Sequence, residues 1–346
     1  MKFSNFLFPE SKTPADDFSV IEESLDEAVL TDELGFDAVW LAEHHFDGGC
    51  VYVDPVTFAA AIAARTKKVK IGFAVAQMAL HHPIRFAEQI ALVDNISKGR
   101  MIVGVGRGTA YNFYEFRGFG IDPDDSHEML LEVENILLQA WTTKDYKHNG
   151  KYWQLELPVL RPQVYQKPHP PMIRACSGLE STLEMAREGR PFMMNVQSDE
   201  VTVERMDQYR ATMSDAGHND ETVACNVADS WVWRNIFVAE TDAEAEKVGI
   251  PYFQNMRSYL QTNRDRMNTA AELEAQASRI VGSARNSLEH GIIVGSPETV
   301  TERLQKVHGT GVGGVIIHFR LGAMPHDVAA NSLKLFAQKV APNFQD

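Results

Sequence analysis

The chain has 346 residues, of which 44% are hydrophobic and 23% charged, a composition typical of a folded globular protein with a large core. Its 47 acidic residues exceed its 33 Lys and Arg and give a formal net charge of −14, which disfavours nucleic acids and anionic lipid surfaces as partners. No apolar stretch approaches the roughly 18 residues of a membrane span, and the first ten residues lack the apolar region of a signal peptide, so we expect a cytoplasmic protein.

The three cysteines, Cys50, Cys176 and Cys225, are odd in number and far apart in the sequence. They show neither the paired spacing of a zinc site nor the density of a disulfide framework. This usage fits a reducing compartment, and the sequence predicts no metal site.

In the first half of the chain, short apolar runs alternate with amphipathic patterns of helical period. Pro55 and Pro83 stand where helices typically begin, and Gly35 and Gly99 stand where helices typically end. The pattern predicts strands over residues 3–8, 37–46, 69–78 and 101–106, and helices over residues 21–36, 55–67 and 83–97. The repeating unit is a strand followed by a helix.

The second half is less regular but shows the same alternation. It carries helical patterns over residues 127–141 and 180–189, and strand patterns over residues 170–178, 191–196, 228–240 and 311–319. Eight strands separated by helices predict the α/β class and a closed parallel (β/α)8 TIM barrel, which we expect to form one domain over residues 1–346.

Residues 240–310 lie between the seventh and eighth predicted strands and are far longer than a usual connection. They are rich in Ala, Glu, Arg and Gln and have little β-branched character. We therefore expect a helical insertion over the mouth of the barrel, near the active site.

The barrel itself indicates where to look for chemistry, because parallel barrels place their active sites at the carboxyl ends of the strands. In this sequence those ends carry Glu43, His44, His45, Ala74, Val75, Arg107, Cys176, Ser177 and Asn195. Histidine changes protonation near neutral pH, so His44 or His45 is a candidate acid or base. Side chains that are adjacent on a strand point to opposite faces, which makes the two histidines poor ligands for one metal ion. The alternative is that one of them bonds structurally to nearby backbone.

Residues 104–109, GVGRGT, end the fourth predicted strand and look only superficially like a dinucleotide loop. Such a loop runs directly into a helix, whereas here an aromatic, turn-rich segment follows and the next helix is predicted beyond Asp125. Arg107 instead suits an anion such as a phosphate, the alternative being a structural ion pair with a carboxylate. Ser177 and the backbone amide of Cys176 precede a predicted helix and offer further donors to an anion, while the Cys176 thiol fits small buried packing better than nucleophilic catalysis.

Several blocks of the sequence, in order and at similar spacing, resemble the bacterial luciferase family and in particular its catalytic α subunit. The blocks are MKFSNFLF, GFDAVWLAEHHF, HPIRFAEQIALVDNISKGR, VGVGRG, VGSPETVTERLQ and SLKLFAQKVAP. The combination is specific and covers nearly the whole chain, although no single block would suffice. The resemblance implies a flavin-dependent monooxygenase that receives reduced FMN from a separate reductase. With O2 it would form a C4a-peroxyflavin and oxidise a small organic substrate.

The resemblance also assigns roles by position. His44 matches the family's active-site histidine, which acts in acid and base chemistry. Ala74 and Val75 match a non-prolyl cis peptide bond that lies against the flavin ring. Arg107 and Ser177, together with the amide of Cys176 and with Glu43 beside the histidine, complete the expected cofactor contacts that agree with the family.

Two further cofactor-site positions depart from the luciferase catalytic subunit. Gly106 stands where that subunit has a reactive cysteine beside the flavin, and His127 stands near the place of a second phosphate-binding arginine. Loss of the first side chain implies a larger pocket, and loss of the second implies weaker FMN affinity. We therefore expect a monooxygenase that does not emit light.

Two alternatives stay open at this point. One keeps the fold but replaces FMN by the deazaflavin F420, which would make the protein a hydride-transferring oxidoreductase. The other is a non-catalytic partner subunit, which the presence of both His44 and Arg107 argues against. The resemblance also implies a homodimer, for which the small residues of the helix over 55–67 suggest a close contact.

Overall fold

The computed structural model describes residues 1–109, 111–280 and 284–344, without the side chains of residues 276–280. Twelve strands lie in these ranges: β1 (Lys2–Leu7), β2 (Ala38–Leu41), β3 (Lys70–Phe73), β4 (Ala76–Gln77), β5 (Met101–Gly106), β6 (Tyr146–Asn149), β7 (Gln154–Leu157), β8 (Met172–Cys176), β9 (Phe192–Met194), β10 (Trp231–Val238), β11 (Ile292–Gly295) and β12 (Gly314–His318). Eight of them form a closed parallel barrel in the order β1, β2, β3, β5, β8, β9, β10, β12 and back to β1. The predicted TIM barrel and its eight strands are confirmed.

The helices surround the barrel. Those in the described residues are α1 (Asp17–Glu33), α2 (Pro55–Arg65), α3 (Pro83–Ser97), α4 (Phe113–Phe119), α5 (Ser126–Thr142), α6 (Leu179–Arg187), α7 (Asp199–Asp215), α8 (Asp220–Ala228), α9 (Asp242–Met267), α10 (Ala270–Ile280), α11 (Leu288–Gly291), α12 (Pro297–Gly309) and α13 (His326–Leu335). No helix in this part of the chain combines the length and the apolar surface needed to cross a membrane.

Large aromatic side chains and facing glycines fill the barrel interior. Trp40 and Trp231 are buried and meet edge to face, with ring centroids 5.4 Å apart. Gly72 lies beside Trp40 on the neighbouring strand, where a Cβ atom would come within 2.5 Å of the indole. Gly314 gives Trp231 the same room, since a Cβ atom there would lie 2.3 Å from its ring. The interior is therefore a packed core, as in other small barrels, and chemistry is left to the strand ends.

Two predicted strands are shorter than expected. The strand predicted over residues 37–46 ends at Leu41, so Glu43, His44 and His45 lie in the loop that follows it. The strand predicted over residues 69–78 divides into β3 and β4, and the peptide bond between Ala74 and Val75, in the gap, is cis.

Several elements were not predicted. Helix α4 forms in the aromatic segment that was read as turns, because Phe113 and Phe116 bury one side of it. The antiparallel hairpin β6–β7 and the helices α7 and α8 were missed. Residues 240–310 contain the helices α9 to α12, and they also contain β11, which pairs with the second half of β10.

Helix α2 buries one face within the chain and leaves Thr57 and Ala64 on its other face exposed, so the partner contact stays a prediction. Its apolar side chains, including Phe58, Ala59 and Ile62, are buried within the chain against α3 and the barrel. Helix α3 also exposes Leu92 and Ile96. The homodimer stays a prediction.

Candidate active site

The carboxyl ends of β2, β3, β5 and β8 come together at one end of the barrel. The register pairs Val105 of β5 with Arg174 of β8, which brings Arg107 beside the segment that begins at Cys176. On the other side of β5, strand β4 pairs Gln77 with Gly106. The fold thus gathers residues that are separated by more than 100 positions in the sequence.

His44 is bonded to a carboxylate that the sequence analysis did not single out. Its Nδ1 atom lies 2.8 Å from Oε1 of Glu115, a buried residue of α4. A carboxylate only accepts hydrogen bonds, so Nδ1 carries a proton and Nε2 is the ring nitrogen left to exchange one. Burial alone would lower the pKa of His44, but the Glu115 carboxylate outweighs it and raises the pKa.

Three further groups hold Glu115 in place. The Gln77 side-chain amide donates to Oε2 over 3.0 Å, the backbone amide of His45 donates to Oε1 over 3.2 Å, and Asn112 donates to Oε1 over 3.2 Å. Burial would raise the pKa of Glu115, but His44, the Gln77 side chain and the His45 amide lower it. Glu115 is therefore ionised at neutral pH and fixes the orientation of the His44 ring.

Glu43 and its two histidines form a second buried group beside the first. The Glu43 carboxylate lies 3.2 Å from Nε2 of His45 and 3.0 Å from Nε2 of His81, and it accepts a bond from the backbone amide of Gln77 over 2.5 Å. Burial would raise the pKa of Glu43, but His81, His45 and the amide lower it to about 2. His44 and His45 thus bind different carboxylates, and the structural alternative of a histidine bonded to backbone does not apply.

An aromatic floor lies under His44. The Phe8 ring meets the His44 ring edge to face at 5.5 Å, and the His318 ring lies 6.0 Å from Phe8 and 5.9 Å from Trp233. His318 is fully buried, and burial lowers its pKa to about 3, so it stays neutral. An apolar group of packed rings therefore lies beside His44.

Gly106 does not leave the open space that the sequence analysis expected. A Cβ atom at this position would lie 2.7 Å from Cγ2 of Val75, so the Val75 side chain occupies the room. The inference of a larger pocket from the missing side chain was wrong, because the adjacent strand end supplies the missing volume. Ala74 and Val75 are half-buried at this edge.

Ser177 stands at the exposed start of α6, next to the buried Cys176. No side chain caps this helix, whose N-cap residue is Gly178. The Cys176 thiol donates to the Ser181 carbonyl over 3.3 Å, and burial raises its pKa to about 11, so the thiol stays protonated at neutral pH. The free end of α6 leaves backbone amides available for an anion.

Arg205 of α7 lies against the start of α6. The sequence did not identify it as a site residue. One of its terminal nitrogens donates to the Ser177 carbonyl over 3.1 Å. Its Nη1 atom is buried and has no hydrogen-bond partner among the described residues. A guanidinium nitrogen without a partner is costly to bury, so its position beside Ser177 indicates an anion site.

The other two phosphate candidates lie at the surface. Arg107 is exposed at the end of β5, one strand away from Ser177. His127 is exposed in the first turn of α5. Asn195, at the end of β9, accepts a bond from Arg285, another residue that the sequence analysis did not single out.

The positions of the site residues in the fold explain why the sequence did not identify several of them. Glu115 lies in the short helix α4 and His81 in a loop, both beyond the predicted strand ends, whereas Gln77 lies in β4, within the strand predicted over residues 69–78. A carboxylate within the otherwise aromatic segment after Arg107 was a usable signal for Glu115. Arg205 lies on a helix, and nothing in the sequence places it beside Ser177.

Comparison with known proteins identifies a protein family that matches this chain. The profile of the luciferase-like monooxygenases matches residues 1–314. Limonene 1,2-monooxygenase from Rhodococcus erythropolis is 27% identical over 99% of this chain and 86% of that protein. The crystal structure of the monooxygenase RslO1 from Streptomyces bottropensis is 29% identical, superimposes with a TM-score of 0.83, and both chains are covered completely.

Two more distant structures share the fold. The oxygenating constituent of 3,6-diketocamphane monooxygenase from Pseudomonas putida, solved with FMN, is 20% identical with a TM-score of 0.79, over 100% of this chain and 99% of that one. An F420-dependent secondary alcohol dehydrogenase is 17% identical with a TM-score of 0.74, over 100% and 99% of the two chains. The same barrel thus accommodates both cofactors.

Proposed function

The chain belongs to the luciferase-like monooxygenase family, and we propose from this premise that it is the oxygenase component of a two-component system. A separate reductase would supply reduced FMN, and the chain would use it with O2 to oxidise a small organic substrate. The name of the diketocamphane enzyme, an oxygenating constituent in complex with FMN, supports both the division of labour and the cofactor.

One observation carries the proposal: an oriented histidine and a set of anion donors occupy the same end of one barrel. His44 with Glu115 forms the proton-transfer group. Arg107, Ser177 and Arg205 stand at the ends of β5 and β8 and on α7. This arrangement fits a cofactor with a reactive ring and a phosphate tail.

The residues fit a flavin mononucleotide. Nη1 of Arg205 has no partner among the described residues, and a phosphate oxygen would supply one. The backbone amides at the start of α6 could bind the same phosphate. Ala74 and Val75 would border the ring system. When bound, reduced flavin supplies the electrons that activate O2.

The protein's own contribution is orientation and proton transfer. Glu115 holds His44 so that Nε2 can give a proton to a ligand or take one from it. The raised pKa keeps His44 protonated to higher pH than an ordinary histidine. The packed rings of Phe8, Trp233 and His318 would keep water away from this side of the site.

Anaerobic calorimetry with reduced FMN and with reduced F420 tests the cofactor. We expect saturable binding of reduced FMN and at least 10-fold weaker binding of F420, a difference of about 1.4 kcal/mol. Tight binding of F420 with hydride transfer to a ketone in the absence of O2 would replace the monooxygenase by the F420-dependent oxidoreductase.

The partner-subunit alternative predicts a different result. Such a chain would produce no oxidised product alone but would restore activity when mixed with a homologous catalytic chain. The paired His44 and Glu115 favour a catalytic chain, because a supporting subunit has no need for an oriented acid–base group.

A further inference from the structure

Three arginines meet above the strand ends of the barrel. Arg257 and Arg264 lie seven residues apart, on one face of α9, and Arg285 lies in the 3-10 turn Ala284–Asn286. Arg264 is buried and its guanidinium lies 4.5 Å from the centre of the Tyr111 ring. Arg285 donates to the Tyr111 hydroxyl over 2.7 Å, and its guanidinium lies 5.9 Å from the Trp233 ring. We call Arg257, Arg264 and Arg285 the arginine cluster.

No carboxylate of the described residues neutralises the arginine cluster. Among the described residues, none of the three arginines forms an ion pair with Asp or Glu. Their hydrogen-bond partners are neutral: Asn286 for Arg257, Asn112 for Arg264, and Asn195 and Tyr111 for Arg285. The Nε atom of Arg285 is buried and has no hydrogen-bond partner in the described part of the chain. In a chain with 14 more acidic than basic residues, this concentration of positive charge is unusual.

The neighbouring groups show the effect of this charge. Burial lowers the pKa of Arg257 to about 10, helped by repulsion from Arg285 and Arg264. Burial would raise the pKa of Tyr111, but the three arginines outweigh it and lower the pKa. The electrostatic potential at the Tyr111 hydroxyl therefore stabilises an oxygen anion.

The arginine cluster adjoins the catalytic histidine. Arg264 donates to Oδ1 of Asn112 over 2.9 Å, and Nδ2 of the same Asn112 donates to Glu115. Glu115 in turn holds His44. The Asn112 side chain thus links the arginine cluster, through Arg264, to the proton-transfer residues Glu115 and His44.

We propose that the arginine cluster binds the carboxylate of the substrate, and that the substrate is a small organic acid. This inference rests on the proposed function and specifies its substrate class. Guanidinium groups pair with planar carboxylates through parallel hydrogen bonds, and the rings of Tyr111 and Trp233 provide apolar surface for the rest of the acid. Binding of the carboxylate would form ion pairs with the arginines and so offset their mutual repulsion.

The cofactor phosphate is the other anion that could use these arginines. The phosphate already has a candidate site in Ser177, the start of α6 and the unpartnered Nη1 of Arg205. Those donors are distinct from the arginine cluster, which lies on α9 and the turn Ala284–Asn286. The two sites predict opposite responses to substitution.

Calorimetry on the full chain separates the two sites. The probes are FMN and three acids, benzoate, cinnamate and octanoate, each compared with its neutral amide. The variants are Arg257→Gln and Arg285→Gln, with Arg266→Gln as the matched control, because Arg266 is an exposed arginine on the same helix α9. Arg205→Gln is the phosphate-site variant, and circular dichroism verifies that each variant is folded.

We expect at least one acid to bind 10-fold or more tightly than its amide, since hydrogen bonds to charged groups are the stronger ones. Arg257→Gln and Arg285→Gln should each weaken that acid about 10-fold and leave FMN affinity within about 2-fold, and Arg266→Gln should change neither. Acids that bind no better than their amides, or not at all, would overturn the proposal. Loss of FMN affinity in Arg285→Gln with unchanged acid binding would assign the arginine cluster to the phosphate. If the chain binds acids but neither reduced flavin nor F420, the proposed function fails and the acid site stands.

Discussion

The strand ends in the first half of the barrel and those in the second half differ in how their charges are balanced. In the first half, Glu43 and Glu115 are buried carboxylates that each have histidine and amide partners. In the second half, Arg205 and Arg285 have buried guanidinium nitrogens that no described residue bonds. The two buried carboxylates of the first half are therefore paired without a ligand, whereas an anion would complete the two guanidinium groups of the second half.

This difference predicts which substitutions alter the protein without a ligand and which alter it mainly when a ligand binds. A change in the first half removes one member of a buried pair and should alter the protein even without ligand. A change in the second half should lower ligand affinity and cost little stability, because under the proposed assignment the arginines gain their counter-ions only on binding. The predictions below test this division, from the largest expected effect to the smallest.

Replacing His44 by Ala should have the largest effect. Loss of a positioned acid or base lowers turnover about 100-fold to 10,000-fold. The buried Glu115 carboxylate would lose its histidine partner and keep only its amide donors, which costs about 1–3 kcal/mol of stability. His44→Gln restores a donor to Glu115 without the acid–base function. It should therefore recover the stability and leave turnover low, as steady-state kinetics and denaturant unfolding would show. Equal turnover in wild type and His44→Ala would remove His44 from the mechanism.

The Glu43 carboxylate should make stability depend on acid pH. Its pKa is held at about 2 in the folded chain against an ordinary value of 4.5, so its contribution is present above pH 4.5 and is lost as the pH falls towards 2. The size is on the order of 3 kcal/mol, at 1.36 kcal/mol per pKa unit. Urea unfolding at several pH values measures it. Glu43→Gln should flatten this part of the profile, and an unchanged slope in that variant would contradict the assignment.

Replacing Gly106 by Ala should destabilise the chain through Val75. The new Cβ atom would lie 2.7 Å from Val75 Cγ2, and overpacking of this kind costs about 1–3 kcal/mol. The double variant with Val75→Ala should recover most of that loss in thermal unfolding. Additive effects of the two substitutions would show that Val75 does not fill the space over Gly106.

Replacing Arg205 by Gln should have the smallest effect on stability and a selective effect on FMN. The variant removes the nitrogen that lacks a partner, so we expect about 10-fold weaker FMN binding and an unfolding midpoint within error of wild type. Arg187→Gln is the control, because Arg187 is exposed and pairs with Glu180 on the neighbouring helix α6. An equal loss of FMN affinity in both variants would indicate a general charge effect.

The sequence predicts the fold more fully than the site. Alternating apolar runs are enough to identify eight strands, because each is buried on both faces. The position of His44 follows from the rule that barrel strands end at the active site. Its partner does not, because Glu115 lies 71 residues away in a short helix whose formation depends on burial of its aromatic side chains.

The pocket shows the same limit. The missing side chain at Gly106 is readable from the sequence, but only the break between β3 and β4 brings Val75 over it. The arginine cluster likewise lies on α9 and the turn Ala284–Asn286 and contacts Tyr111 in the loop after β5. No local sequence pattern predicts these contacts.

Oxygen labelling tests the central claim most directly. The chain would be incubated with FMN, a flavin reductase, NADH and ¹⁸O₂ in the presence of the acid that binds best, and the product would be analysed by mass spectrometry. We predict a product that contains one ¹⁸O atom and whose yield falls about 100-fold or more in His44→Ala. Complete oxidation of the reduced FMN without any labelled organic product would contradict the monooxygenase assignment.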